Sequence, residues 1–400
     1  MTQDQTDAEA PVRENLRLTL VGAATGAGCQ LLVVVIVARG FPPAVAGDFF
    51  TSTSLILLVA AIVRLDAGTG LLHFIAGTGG YRHPHAVLLP VLGLSALAAA
   101  ALTLRLPPPV CCALPFIVFL DVVLAASRGY GDLATTALVG GIGRPLAQLG
   151  LVAATTSADL LLIAWSLPYL PATVLAVVRL HRAARSTQAV AATGFWRHTW
   201  PRSVASALQA GFQRADILLV AALAGAETAA LYTAATRFKV VGQLVNQALT
   251  QPAQPMLVRA FAEGNLELAR DLYRRTTRRL ILLTWPMWLG FAALAPWLLG
   301  ILGAEYRSAA SVTWILAATM MFAGGCGMID IVLISAGRTG WNLLNVLIAL
   351  ITTVGTNLLL TPGHGLLGAA LGWSAGVVVK NLLPLLQVCR WYGLRPTEPR

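Results

Sequence analysis

Apolar residues recur along this chain in runs of about twenty, separated by short polar connections holding Gly, Pro or Arg. A helix of that length crosses a hydrocarbon core of about 30 Å. The pattern predicts about twelve spans, near 16–38, 44–75, 86–105, 109–127, 134–155, 159–179, 203–224, 228–257, 279–302, 307–334, 339–360 and 366–389. Two stretches break the rhythm. "LHRAARSTQAVAATGFWRHTWPR" (180–202) is a long polar segment near the midpoint, and "RAFAEGNLELARDLYRRTTRRL" (259–280) reads as an amphipathic helix outside the bilayer. There Arg270, Arg274 and Arg278 share a face toward anionic headgroups. The expected organisation is a tail (1–15), a first lobe of six spans (16–180), a linker (181–202), a second lobe of six spans (203–390) that includes the amphipathic helix at about 260–279, and a tail (391–400).

Fragments of the two halves resemble each other. "SRGYGDLATTALVGGIGRPL" (127–146) enters the fifth span as "SAGRTGWNLLNVLIALITTV" (335–354) enters the eleventh. "ARGFPPAVAGDFF" (38–50) joins the first two spans much as "LAGAETAALYTAA" (223–235) joins the seventh and eighth. A tight connection at the same step of each six-helix unit is the mark of a duplicated transporter.

Composition removes the soluble alternatives. Of 400 residues 57% are hydrophobic and 11% charged, and mean hydropathy is +0.73, whereas a soluble domain needs roughly 25% charged residues. The formal net charge of +11 does not point to nucleic acid, because the basic residues bracket the spans. One side holds Arg82, Arg128, Arg179, Arg182, Arg185, Arg197, Arg202, the run from Arg270 to Arg279, and Arg338; the other holds only Arg39, Arg105 and Arg307. The positive-inside rule then makes both termini cytoplasmic. The first span is too long for the apolar region of a signal peptide and is expected to be retained. Five cysteines show neither disulfide nor zinc spacing, and His83 with His85 lacks further ligands, so no metal site is expected.

Charges inside the spans need an explanation. Arg64, Asp66, Asp121, Arg144, Arg214, Asp216, Arg237, Lys239, Asp330 and Lys380 all fall there. At roughly 2.5–3.5 kcal/mol each in lipid, ten would cost on the order of 25–35 kcal/mol, more than the ~5–15 kcal/mol of a folded protein. They are expected to face the bundle interior or water. In the eighth span Tyr232, Thr236, Lys239, Gln243, Asn246, Thr250 and Gln254 recur every three or four residues, a polar stripe suited to a wet cavity. In the seventh, Arg214 and Asp216 stand about 200° apart and cannot pair within the helix. Asp216 shares a face with Gln209 and Gln213, which is expected to meet the cavity, while Arg214 points elsewhere. Arg64 and Asp66 repeat the spacing in the second span, and His73 follows as a packed or interfacial residue. Arg144 precedes Pro145, whose missing N–H bends a helix and frees a carbonyl. Gly368, Gly372 and Gly376 form a close-packing face.

No G-x-x-x-x-G-K-[ST] loop, H-E-x-x-H or G-x-S-x-G occurs. The outward connections are short, leaving no room for the catalytic loop of a glycosyltransferase or polymerase.

The chain resembles the polysaccharide flippases of the multidrug/oligosaccharidyl-lipid/polysaccharide (MOP) exporter superfamily. "VVVIVARGFPPAVAGDFF" is similar to their "ARxLGPxxxGxF" step, and "RLDAGTGLLHFIAG" to "DLGLxxxLxRFIA", with His73 where Arg is common. "QRADILLVAALAGAETAALYTAATRF" looks like "DRLLLGxxLGPxxVGLYxxAxR", though Thr228 and Ala229 replace Pro and Gly. "AFAEGNLELARDLYRRTTRRLILL", "LGAEYRSAASVTWILA" and "ISAGRTGWNLLNVLIALITTVGTNLLLTPGHGLLGAALGWSAG" follow in order.

The resemblance implies an all-α polytopic protein of about 12 transmembrane helices, in two six-helix lobes around a central cavity of alternating access. It implies movement of undecaprenyl-pyrophosphate-linked oligosaccharide across a bacterial cytoplasmic membrane. Arg64, Arg144, Arg237 and Lys239 are then candidates to neutralise the pyrophosphate; Asp66, Asp216, Gln243 and Asn246 complete the expected cavity set, with Arg214, Gln209, Gln213 and Lys380 as secondary candidates. No cofactor is expected, and coupling to a proton or a sodium gradient is open. The expected partners are the lipid-linked anionic oligosaccharide, membrane lipids, and a glycan polymerase or glycosyltransferase. Two alternatives share the fold, a multidrug/cation antiporter and a lipid II flippase. Another class is a non-transporting component or enzyme of a glycan assembly complex.

Overall fold

The computed structural model describes residues 3–78, 85–184, 195–237 and 239–394. Among the described residues every regular element is helical. In order they are α1 (Gln3–Gly40), α2 (Pro43–Val63), α3 (Ala67–Thr78), α4 (His85–Leu102), α5 (Pro108–Cys111), α6 (Leu114–Gly129), α7 (Leu133–Thr135), a π-helical segment Thr136–Gly143, α8 (Arg144–Ala154), α9 (Ala158–Ser166), α10 (Tyr169–Ala184) and α11 (Phe195–Thr236). Then come α12 (Lys239–Thr250), α13 (Ala253–Ala262), α14 (Leu266–Leu302), a 3₁₀ turn Glu305–Ala309, α15 (Ala310–Cys326), α16 (Ile329–Ser335) and α17 (Thr339–Tyr392). Nine segments among the described residues are long and apolar enough to cross a membrane, and Val87–Leu102 is a shorter apolar helix. Two of the nine turn back on themselves at glycines with positive φ, Gly225 in α11 and Gly365 in α17. The helix count is thus consistent with about twelve crossings.

The chain divides into two compact units, residues 1–41 with 52–210, and residues 42–51 with 211–400. The boundary falls inside α11, whereas the polar segment expected to separate the lobes lies earlier, with 185–194 outside the described residues. Residues 42–51 go with the second unit because Gly47 lies against the Ala226 carbonyl, leaving no room for a side chain.

In the first unit the expected second span is interrupted. Leu65 and Asp66 take left-handed backbone (φ 51° and 50°), ending α2 and starting α3. Non-glycine residues adopt this region at a cost, so neighbouring bonds must hold them there. Ser203 Oγ donates to the Leu65 carbonyl, and Thr69 Oγ1 donates to Asp66 Oδ1 at 2.7 Å. The bend expected at Pro145 is spread over a π-helical segment. Pro145 donates no N–H, and Arg144 N bonds Val139 O, five residues back. The wider turn lies against α1, where a Cβ on Gly141 would stand 2.8 Å from Gly22 Cα.

In the second unit α17 folds at Gly365 (φ 52°, ψ −122°) into a tight hairpin. Cβ atoms at Gly368, Gly372 and Gly376 would collide with Leu360, Asn357 and Thr353 of the preceding arm. These three glycines are therefore a packing face, as their spacing predicts. The amphipathic segment differs from expectation. Gly264 (φ 68°) ends α13, Asn265 caps α14 by accepting from Leu268 N at 3.0 Å, and α14 then runs unbroken to Leu302. The arginine-bearing turns are one rigid helix with the ninth span, because no breaker stands between Leu266 and Pro286. Tyr273 on α14 is fully buried and donates to Cys326 O at 2.7 Å, pinning the end of α15.

Replacing Gly372 with Val forces apart two backbones in contact. Overpacking of this kind costs about 1–3 kcal/mol, so the detergent-solubilised variant should melt roughly 2–10 °C below wild type. An unchanged melting temperature in a thermal-shift assay would contradict the hairpin.

Candidate functional site

In the second unit α11 carries Asp216, and the chain returns after Gly225 to bring Tyr232 alongside it. The Asp216 carboxylate accepts from Ile217 N at 2.9 Å, Tyr232 OH at 3.1 Å and Lys239 Nζ at 3.1 Å. Its side chain is 1% exposed and that of Lys239 15%. The ammonium also lies 4.0 Å from the Trp373 ring centroid and 5.9 Å from that of Tyr232. A charge transferred into such surroundings is tolerable only when paired and hydrogen-bonded on its remaining positions.

This placement corrects two expectations. Asp216 does not line a wet cavity; it is sealed by Tyr232 and Lys239. Lys239 finds its anion within the protein and leaves the polar stripe. Helical periodicity put Gln209, Gln213 and Asp216 on one face, yet Gln213 is exposed, Gln209 half-buried and Asp216 buried. What covers a face depends on the returning chain, which periodicity within α11 cannot register. Arg214 is half-buried.

The stripe itself is interrupted after Thr236, and α12 begins at Lys239. Beyond it, Gln243, Asn246 and Thr250 do line a cavity, of about 240 Å³, together with Asp330 and Lys380. Lys380 Nζ stands 3.4 Å from Asp330 Oδ2 and 5.4 Å from the Phe212 ring centroid. Arg237, in the turn between α11 and α12, places its guanidinium 5.7 Å from the Phe50 ring centroid. Its Nε is buried without a hydrogen-bond partner.

In the first unit the candidates are engaged by other side chains. Arg64 Nη1 lies 2.7 Å from Asp121 Oδ2. Asp66 holds Arg202 Nε at 3.2 Å, so the Arg64–Asp66 spacing is not a pair. Arg144 Nη1 donates to Gln148 Oε1 at 2.7 Å and Tyr169 OH at 3.0 Å, and its guanidinium stacks 4.8 Å from the Tyr169 centroid. Gln148 in turn donates to Trp165 O at 2.8 Å. Arg144 therefore clamps α8 to α10, with much of its donor capacity spent there. His73 is exposed on α3.

The structure brings together Asp216 with Lys239, and Gln243, Asn246 and Lys380 around one cavity. The aromatic partners Phe50, Tyr169, Trp288 and Trp373 were missed by sequence reasoning. The signal that could have found the ion pairs is arithmetic. Each Asp expected inside a span, Asp66, Asp121, Asp216 and Asp330, has a basic partner in its own unit.

Removing Lys239 alone strands a buried carboxylate. Lys239→Met should destabilise the protein by about 3–5 kcal/mol, while Asp216→Asn with Lys239→Met should recover most of that loss. Thermal unfolding of the single and double variants in detergent reads the difference; additive losses would contradict the pairing.

Residues 126–311 match the family model described as polysaccharide biosynthesis protein. No curated protein matches the chain by sequence. Among solved structures, an inward-facing multidrug resistance MATE family transporter of the MOP superfamily aligns with a TM-score of 0.72 at 15% identity, over 94% of this chain and 98% of its own. An outward-facing transporter of the same description aligns at 0.65 and 15% identity, over 95% of each chain. A MOP superfamily transporter from Pyrococcus furiosus, whose binding pocket of reverse polarity suggests a different function, aligns at 0.64 and 15% identity, over 96% of this chain and 95% of its own. This chain is thus a multi-pass membrane protein with the fold of the MOP-superfamily transporters, similar over residues 126–311 to polysaccharide biosynthesis proteins.

Proposed function

We propose that the protein is a flippase that moves lipid-linked anionic oligosaccharide, carried on a polyprenyl pyrophosphate, across the bacterial cytoplasmic membrane by alternating access. Arg237 is the observation that carries this reading. It is a half-buried guanidinium stacked over Phe50 with an unpartnered buried Nε, and the carboxylate acting on it, Asp216, is already bonded to Lys239. A guanidinium in a low-dielectric site seeks a hydrogen-bonding anion, and a phosphate matches its fork. The transporter fold and the polysaccharide match over 126–311 support a glycan as the cargo.

Lys239 keeps a different role in this reading. Tied to Asp216, it adds no net charge, and its function is to hold α12 against α11 beneath Arg237 in sequence. Arg144 is similarly a positioning residue of the first unit. The same pattern speaks against cationic drugs as cargo, since the paired carboxylates offer no spare negative charge. The basic connections support cytoplasmic termini in this reading, by the positive-inside rule.

Translocation is read in proteoliposomes from the share of a labelled polyprenyl-pyrophosphate saccharide that an impermeant quencher reaches. Arg237→Gln should lower the rate at least tenfold, a loss of about 1.4 kcal/mol. Unchanged translocation in the triple variant Arg144→Gln, Arg237→Gln, Lys239→Gln would sink the anion-binding assignment. Orientation is checked separately: an alkaline phosphatase fused to the C-terminus should be inactive in cells and a fluorescent protein bright, the reverse pair contradicting cytoplasmic termini.

A further inference from the structure

The cavity of the second unit has a character that anion binding does not use. Its charges cancel. Lys380 bonds one oxygen of Asp330, while the other, Oδ1, is buried and has no hydrogen-bond partner. Gln243 and Asn246 bring exposed amides, each able to donate and accept, and Asn381 spends its NH₂ on Val377 O and keeps its amide oxygen. Against these polar groups stand two indoles, Trp288 from α14 and Trp373 from α17.

Both indoles are held in place before any ligand arrives. Trp288 rests on α12 at Gly242, where any Cβ would overlap its ring, and packs edge-on against Phe291 at 6.2 Å. Trp373 carries the Lys239 ammonium at 4.0 Å. Asp330 reaches the cavity because the helix is discontinuous there. α15 ends at Cys326, Gly327 turns the chain (φ 70°, ψ −148°), and α16 starts at Ile329. Broken helices at membrane depth occur where they line a cavity, and in transporters they mark binding sites.

A neutral set of donors and acceptors, beside two indoles that are only 3% and 6% exposed, suits a small ligand with many hydroxyls and no net charge. A bare cation would compete with Lys380, and an anion with Asp330. A lipid tail would leave the amides and the Asp330 oxygen unpaired. At about 240 Å³ the space is below the roughly 300–1,000 Å³ of clefts for drug-sized ligands. We infer that this cavity is a subsite for one neutral pyranose, a hexose or N-acetylhexosamine of the transported glycan, with its hydroxyls on Asp330, Gln243 and Asn246 in a space whose shape Trp288 and Trp373 help to set. The inference rests on the flippase reading and adds to it a site at which the sugar, rather than the pyrophosphate, is recognised.

The test compares two ligands on the purified full chain in nanodiscs: a polyprenyl pyrophosphate carrying one hexose, and the same lipid pyrophosphate without sugar. Wild type should bind the glycosylated lipid about tenfold more tightly, the worth of one well-made contact. Trp288→Leu should bring that ratio close to one. Gln243→Ala with Asn246→Ala, at exposed positions that do not hold the bundle together, should lower it as well. Equal binding of both lipids by wild type, or a ratio unmoved in both variants, would overturn the subsite and leave the flippase reading standing. Failure of wild type to bind either lipid would overturn both.

Discussion

A carboxylate carried into an apolar helix bundle loses its water, and no dispersion contact replaces what water supplied. It must find a cation and fill its other lone pairs, or shed its charge. Two such carboxylates, Asp66 and Asp216, lie buried in this protein, and they and the more open Asp121 and Asp330 each have a partner within their own unit. The backbone follows from meeting that need. The left-handed residues Leu65 and Asp66 and the break at Gly327 each lie within a few residues of one of these carboxylates. Irregular backbone at membrane depth is costly, and it stands here where ion pairs and buried hydroxyls hold it.

Once the pairs are counted, the cations left over acquire meaning. Arg144 is absorbed by Gln148, Tyr169 and the π-helical turn, so it braces the first unit. Arg237 is backed by Phe50 and keeps a buried Nε free. The charge-balanced cavity beyond α12 is a different environment, polar and aromatic but without net charge. A pyrophosphate-linked sugar has the same two characters in one molecule, an anionic head and a neutral, hydroxyl-rich body. Separate protein surfaces for the two would let head and sugar be recognised independently.

Much of the fold could be read from the chain. Runs of apolar residues located several of the helices closely, α4 and the end of α14 among them, and the Gly368, Gly372 and Gly376 spacing announced the close approach that the α17 hairpin makes. The interruptions were harder. Leu65 and Asp66 carry no glycine or proline to flag a break, and the continuity of α14 through its basic turns was hidden by a polarity pattern that reads as a separate surface helix. The site was legible as a set of residue types, less so as an arrangement. Periodicity within α11 assigned Asp216 to an open face, because nothing local to that helix records that Tyr232 and Lys239 come back to cover it. Gln243 and Asn246 lie along a regular helix and line the cavity of the second unit. Trp288 and Trp373 escaped notice, as single indoles in an apolar helix look like core.

In the function proposed above, the protein recognises the charge of a lipid headgroup rather than its hydrophobic tail. The most direct measurement sets two glycolipids against each other in proteoliposomes holding the wild-type chain, with the same sugar and the same polyprenyl tail. One bears a pyrophosphate link and the other an uncharged link. The pyrophosphate lipid should cross at a rate well above that of protein-free vesicles, and the uncharged one near the protein-free rate. Equal transport of the two, or faster transport of the uncharged lipid, would contradict the claim.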